Sequence, residues 1–235
     1  MINKCINFIQ NVVFAQSCMK CGRPADTPRA ICSECYPQLP ANRFCCRQCA
    51  LPLESEISQL CGHCQKTPPV FHSAFIPFRY EPPIDQWIWK FKFRNDLVSG
   101  KLLADLFLTK LLESNTAMPE ILVPVPLHAS RLRQRGFNQS LWLARYIGTQ
   151  LGITLDSRSV RRNLKTPPQH ELNMQKRTTM LRKAFTLNGD FAYQHAAIID
   201  DVLTTGSTVN EISKLLGNNG CATIDCWAIA RTPPK

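Results

Sequence analysis

Eight cysteines stand as four pairs near the start of this 235-residue chain, each pair separated by two residues: Cys18/Cys21, Cys32/Cys35, Cys46/Cys49 and Cys61/Cys64. Two thiolates on one tight turn reach a single metal ion, and four thiolates close a tetrahedral zinc site. Four pairs therefore supply two complete sites. Few large apolar residues lie between Ser17 and Lys66, so metal binding must supply much of the folding free energy of this segment. Both zinc ions read as structural, because a site closed by four thiolates keeps no open position for water. The spacing leaves open whether neighbouring pairs share a metal or the first pair crosses to the third. Cys45, His63 and His72 read as non-ligands.

The competing arrangement for these cysteines is a disulfide framework, which needs an oxidising compartment. Lys4, the apolar stretch after it and Ala15-Gln16-Ser17 imitate a secretory signal. Asn7, Gln10 and Asn11 interrupt that stretch, and Ile2, Cys5, Ile6, Ile9 and Val13 fall at helical spacing. An amphipathic helix packed on the protein is the better reading, which places reduced thiols and zinc in the cytoplasm. The chain also lacks any apolar run near the ~20 residues of a membrane helix, so no span is expected.

Lys66-Thr67-Pro68-Pro69 marks a boundary, since proline neither continues a helix nor donates a backbone hydrogen bond. Residues 1–66 are expected to form the helix and zinc module, and residues 70–235 an α/β domain. Within the latter, Val70 to Tyr80 reads as a strand region, and Ile84 to Phe93 and Gly100 to Leu112 as helices. Trp87, Trp89, Phe91 and Phe93 are expected in the core. From Ile121 the chain alternates: a strand to Val125, a proline-bounded loop, a helix from Gln139 to Leu151. Later come a buried strand from Ala196 to Ile199, a loop from Asp200 to Ser207 and a helix from Thr208 to Leu216. Apolar strands alternating with helices predict a parallel sheet flanked by helices, with ligands at the carboxyl ends of the strands.

The second of these loops carries the most chemistry. After the buried strand come Asp200 and Asp201, whose carboxylates suit paired ribose hydroxyls. Thr204, Thr205, Gly206, Ser207 and Thr208 then present hydroxyls and backbone N–H groups at a helix N-terminus, where the helix dipole and free donors favour a phosphate. A single N-cap needs only one such residue, so the run exceeds what capping requires. It resembles the phosphoribosyl pyrophosphate loop of type I phosphoribosyltransferases.

The likeness spreads over most of the chain. The four cysteine pairs, Tyr80-Glu81-Pro82-Pro83, Lys92-Phe93, Pro124 to His128, Arg131, Arg135-Gly136-Phe137-Asn138-Gln139, Gln169, Leu172, Arg177 and Ala184-Phe185 resemble the ComF/GntX family of competence-related proteins. That resemblance implies a double zinc ribbon joined to a type I phosphoribosyltransferase fold, and a role in natural transformation and the use of external DNA. It also implies phosphoribosyl pyrophosphate or a nucleotide as ligand with Mg2+, and a protein partner in the competence machinery. Leu127, His128, Arg131 and Arg135 would then hold pyrophosphate, the two arginines stabilising charge as it develops. Two departures stand out. Met180 replaces the usual asparagine of the family, and Thr204 stands where purine-salvage enzymes carry an aspartate, which argues against purine salvage because a threonine hydroxyl is no base at neutral pH.

Charge adds a second partner. The net charge is +11, and between Leu127 and Asp190 twelve Lys and Arg face three Asp and Glu, a balance of +9. Such a concentration favours a polyanion, and with the resemblance it points to single-stranded DNA. Arg158, Arg161 and Arg162 are open to two readings, DNA contacts or a solvated strand edge. Whether the site turns substrate over or only binds is also open, since no residue presents itself as an acceptor site.

Overall fold

Two nine-residue strands, His195–Leu203 and Thr223–Arg231, are buried along nearly their whole length and lie side by side at the centre of the protein. Their near-continuous apolar runs are what a parallel sheet covered on both faces demands. The computed structural model describes residues 16–54, 59–163 and 184–233. The expected helix before Ser17 and the positions Gln169, Leu172, Arg177 and Met180 lie outside the described residues.

In chain order the elements are α1 (Gly62–Lys66), β1 (Ser73–Phe75), β2 (Phe78–Arg79), α2 (Ile84–Arg94), α3 (Leu97–Leu112), β3 (Ile121–Pro124), α4 (Ala129–Arg135), α5 (Gln139–Leu151), β4 (Thr154–Leu155), β5 (Val160–Arg162), β6 (Phe185–Leu187), β7 (His195–Leu203), α6 (Ser207–Gly217) and β8 (Thr223–Arg231). The main sheet runs β1-β8-β7-β3-β4, with β2 also on β8. Every pairing in it is parallel. β5 and β6 form a separate antiparallel pair. The expected α/β architecture, a mostly parallel sheet flanked by helices, is what the chain adopts.

Strand residues alternate faces, and the core divides accordingly. Ala197, Ile199 and Trp227 pack with Trp87, Phe91, Leu103, Phe107, Leu143 and Ile147 of α2, α3 and α5. Ile198, Ile224 and Cys226 pack with Val209, Ile212 and Leu216 of α6 on the other face. Among the described residues the cysteine module has no core apart from these two. Cys18, Cys32 and Cys35 join the first cluster through Ile31 and Leu39, and Cys46, Cys49, Cys61 and Cys64 join the second. Buried Asn42 ties the module to the domain, donating to the carbonyls of Ala50 and Ile76 at 2.8 and 3.1 Å.

Three expectations are corrected. Trp87 and Phe91 are core, but Trp89 and Phe93 are 47% and 53% exposed, because helical spacing turns them away from the side that packs on the sheet. The loop after β3 contains the short helix α4, whose polar sequence hides any apolar stripe. β7 continues to Leu203, so Asp200 and Asp201 stand on the strand itself, held by parallel pairing to β8 rather than on a loop.

Candidate functional site

The carboxyl ends of β3 and β7 carry the loops that sequence analysis singled out. β7 ends at Leu203, and Gly206, at φ +76°, turns the chain into α6. Only glycine adopts that backbone conformation without strain. Gly206, the N-cap of α6, brings no side chain, and the Thr205 hydroxyl accepts from the Ser207 N–H at a long 3.4 Å, so the N–H groups of Thr208 and Val209 and the positive end of the dipole are left to a ligand. Thr205 and Ser207 meet through their hydroxyls at 2.5 Å, and Thr204, Thr205, Gly206, Ser207 and Thr208 are all at least partly exposed.

Behind this turn, Asp200 and Asp201 leave the strand on opposite sides. Asp201 is buried and pairs with Lys92 of α2 at 2.9 Å. Asp200 accepts from the Ser140 hydroxyl at the start of α5, at 2.9 Å, and from the Asp201 N–H, also at 2.9 Å. Burial, and then the charge of Asp201, push the Asp200 carboxyl up to about 7, against the pull of Lys92 and these hydrogen bonds. A carboxyl held by one hydroxyl and one backbone N–H and disfavoured as an anion by burial suits a cation or a hydroxyl donor.

The segment after β3 faces the same place. His128 caps α4, its Nδ1 accepting from the Ser130 N–H at 3.2 Å, and Leu127 precedes it half-buried. α4 ends at Gly136, φ +80°. Asn138 caps α5 through the Leu141 N–H at 3.3 Å and donates back to the Val125 carbonyl at 3.1 Å, so one side chain fixes both the helix and the preceding loop. Buried Gln139 accepts from Arg135 at 3.2 Å, and Phe137 packs edge-on against Phe91, centroids 5.3 Å apart. The run Arg135 to Ser140 therefore orients a cation with Gln139 and a carboxylate with Ser140. Arg135 feels Asp201 and Asp200 as attractive charges and Arg131 as a repulsive one, while burial pulls its guanidinium below the ordinary range. Arg162 on β5 is drawn down likewise by burial, with Arg131 and Asp200 in electrostatic reach, and lies over the Phe185 ring at 5.4 Å.

The structure thus brings Asp200, Asp201, Arg131 and Arg135 together with the Thr204–Thr208 turn. Sequence reasoning gave no role to Lys92, Ser140 or Arg231, and left Arg162 between DNA contact and strand edge. Arg161 is exposed, whereas Arg162 turns inward. Arg231, at the end of β8, is 6% exposed. It donates to the carbonyls of Leu203, at 2.9 Å, and Thr204, and through Nε to the Cys49 carbonyl at 3.1 Å. A lone charged residue closing an apolar run was the available signal. A cleft of about 530 Å³ lies between the Cys49/Cys61/Cys64 side of the module and the outer side of the turn, lined also by Phe71 and Lys214.

The thiols gather in two tetrads, Cys18/Cys21/Cys32/Cys35 and Cys46/Cys49/Cys61/Cys64, with all sulfurs of each within 4.8 Å of one another. Neighbouring pairs therefore share a site, which settles the pairing. Cys21 and Cys32 sulfurs are 3.8 Å apart, and those of Cys49 and Cys61 3.7 Å. Four sulfurs at ~2.3 Å from a tetrahedral zinc stand ~3.8 Å apart, so both tetrads fit structural zinc. No disulfide joins these cysteines, and neither His63 nor His72 belongs to a tetrad. Among the described residues no helix is long and apolar enough to cross a membrane.

Comparison with known proteins agrees with this arrangement. Residues 9–65 match the double zinc ribbon domain family. The chain is 36% identical over 220 residues to the DNA utilization protein YhgH of Salmonella typhimurium, covering 92% of this chain and 96% of that protein. It is 33% identical over 222 residues to competence protein F of Haemophilus influenzae, covering 91% and 96%. Competence protein ComFC of Streptococcus pneumoniae is 26% identical over 205 residues, covering 86% and 87%. With two cysteine tetrads ahead of a parallel α/β sheet and this likeness along almost its whole length, the chain belongs to the ComF/GntX family of competence and DNA-utilization proteins.

Proposed function

We propose that this protein handles incoming single-stranded DNA in the cytoplasm during natural transformation, through a site that binds phosphoribosyl pyrophosphate or a nucleotide together with magnesium. One observation carries the ligand reading: a helix N-terminus whose N-cap is Gly206, preceded by two carboxylates and with Arg131, Arg135 and Arg162 in electrostatic reach of them. The 5′-phosphate accepts from N–H groups of Thr204 to Thr208. The ribose hydroxyls donate to Asp200 and Asp201, and the pyrophosphate lies along Leu127 and His128 against Arg131 and Arg135. Carboxylate oxygens are the hard donors that a magnesium ion on the pyrophosphate prefers, and the ion would supply the charge Asp200 lacks.

The DNA reading rests on the relatives named for competence and DNA utilization and on the basic balance of the chain. Calorimetry of phosphoribosyl pyrophosphate with magnesium tests the pocket. The Asp200→Asn/Asp201→Asn double variant should lose at least tenfold in affinity, about 1.4 kcal/mol. Unchanged affinity would remove the assigned site. Transformation at the normal frequency in a strain without the protein would reject the cellular role.

A second reading, turnover as a phosphoribosyltransferase of nucleotide metabolism, is favoured by the Asp200 carboxyl at about 7, since a general base works best near the ambient pH. Release of pyrophosphate on addition of any nucleobase decides for it.

A further inference from the structure

The outer face of α2 is unusual for a helix that packs on a sheet. Trp89 and Phe93, one helical turn apart, are 47% and 53% exposed. Their ring centroids are 6.0 Å apart with planes inclined at 43°. Each ring carries a guanidinium: Arg94 lies over Trp89 at 5.5 Å, and Arg135, reaching across from α4, lies over Phe93 at 4.9 Å. The two stretches that meet here, Ile88 to Asn95 and Arg131 to Gly136, hold six cations, Lys90, Lys92, Arg94, Arg131, Arg133 and Arg135, and no Asp or Glu. The two nearest acids in sequence are engaged locally: Asp96 caps α3, accepting from the N–H groups of Val98 and Ser99 and the Ser99 hydroxyl, and Asp85, one turn before Trp89, accepts from the Gln86 N–H at 2.7 Å.

Exposed aromatic rings cost free energy unless something covers them. Here the surrounding charge is predominantly positive, so the cover must be anionic and must bring flat apolar surface with it. A single nucleic-acid strand does both: its phosphates meet the cations and its bases stack on the rings. A duplex keeps its bases paired inward and cannot use the rings. We propose that Trp89 and Phe93, with Arg94 and Arg135, form a stacking surface on which single-stranded DNA lies, leading to the phosphoribosyl pocket. The path is short, because Lys92 of the same helix pairs with Asp201 at 2.9 Å and Arg135 serves both the Phe93 ring and the field of Asp200 and Asp201. This inference rests on the single-strand reading of the function and names the surface responsible.

Fluorescence anisotropy with an oligothymidylate of about 20 nucleotides tests it on the full zinc-loaded chain, with the intrinsic tryptophan signal as a second readout. Trp89→Ala and Phe93→Ala should each weaken binding by roughly five- to a hundredfold, while Trp89→Phe and Phe93→Trp retain most of it. Neither alanine variant removes a charge, so the salt dependence should keep its slope. Arg94→Gln should instead flatten that slope by about 0.7. The rings are exposed, so both variants should keep their zinc, and Trp89→Ala, whose ring meets Arg94 and not Arg135, should keep its affinity for phosphoribosyl pyrophosphate. A parent protein with no affinity for single strands overturns the functional reading and this inference together. A parent that binds, with the alanine double variant binding equally well, overturns the stacking surface alone.

Discussion

The Asp200 carboxyl lies beside a second carboxyl and is only partly exposed, with its charge disfavoured first by burial and then by Asp201. A carboxyl raised from 3.8 to about 7 on folding binds its proton more tightly in the folded state. Stability is therefore lost as pH rises from the lower value through the higher, and the loss is complete above it. Asp200→Asn keeps the acceptor for Ser140 and for the Asp201 N–H but removes the charge. The unliganded variant should gain about 1–2 kcal/mol at pH 8, discounted from the full shift for partial exposure, or a few degrees in Tm. The gain should shrink steadily between pH 8 and pH 5.5, and differential scanning calorimetry at several pH values, with the zinc content of parent and variant measured at each, checks both sign and slope. A stability gain accompanied by lost affinity for phosphoribosyl pyrophosphate is the behaviour of a residue kept for binding.

At the scale of elements, the stretch from Arg135 to Ser140 converts a turn into a site. Asn138 caps α5 with its oxygen and holds Val125 with its nitrogen, and the two bonds separate by mutation. Asn138→Ala should cost about 1–2 kcal/mol of stability and weaken pyrophosphate binding. Asn138→Asp should recover most of the Tm, because aspartate caps equally well, yet bind as weakly as the alanine variant because the Val125 carbonyl loses its donor. Thermal melts and calorimetry on the same samples check the pair. Much of this level was legible beforehand. Apolar runs marked β3 and the first part of β7, and the bounds of α5 agree with those expected, whereas β8 was not singled out although it is as apolar as β7. The turn from Asp200 to Thr208 stood out because its hydroxyls, glycine and carboxylates are contiguous. Lys92 and Ser140 were not, since they reach Asp201 and Asp200 from helices 109 and 60 residues away in sequence, and no local pattern marks which surface of a helix meets a given strand. Trp89 was assigned to the core because hydrophobicity alone does not tell a buried ring from one held ready for a ligand.

For the molecule as a whole, the cysteine module and the turn after β7 share a side chain. Arg231 donates to the Cys49 carbonyl on one side and to the Leu203 and Thr204 carbonyls on the other, and Cys49 belongs to the second tetrad alone. The first tetrad reaches the domain by a different route, through Ile31, Leu39 and the α2/α3 face. A charged group this buried does not relax without loss if one acceptor moves, so displacement of Cys49 is felt at Thr204. Cys61→Ser, which spoils the second tetrad, should therefore weaken phosphoribosyl pyrophosphate binding by roughly tenfold, while Cys18→Ser lowers thermal stability with a smaller effect on affinity. Coupling between binding sites is reciprocal. The phosphoribosyl ligand should slow the release of the second zinc to a chromophoric chelator and leave the release of the first unchanged. Arg231→Lys retains the charge but, as a point donor, cannot span both carbonyl groups, so it should keep two zinc ions by metal analysis and abolish the ligand's protection of the second. If the ligand protects both zinc ions equally in the parent, or still protects the second in Arg231→Lys, the link through this arginine is wrong and the two halves of the protein respond to one another only through general stability.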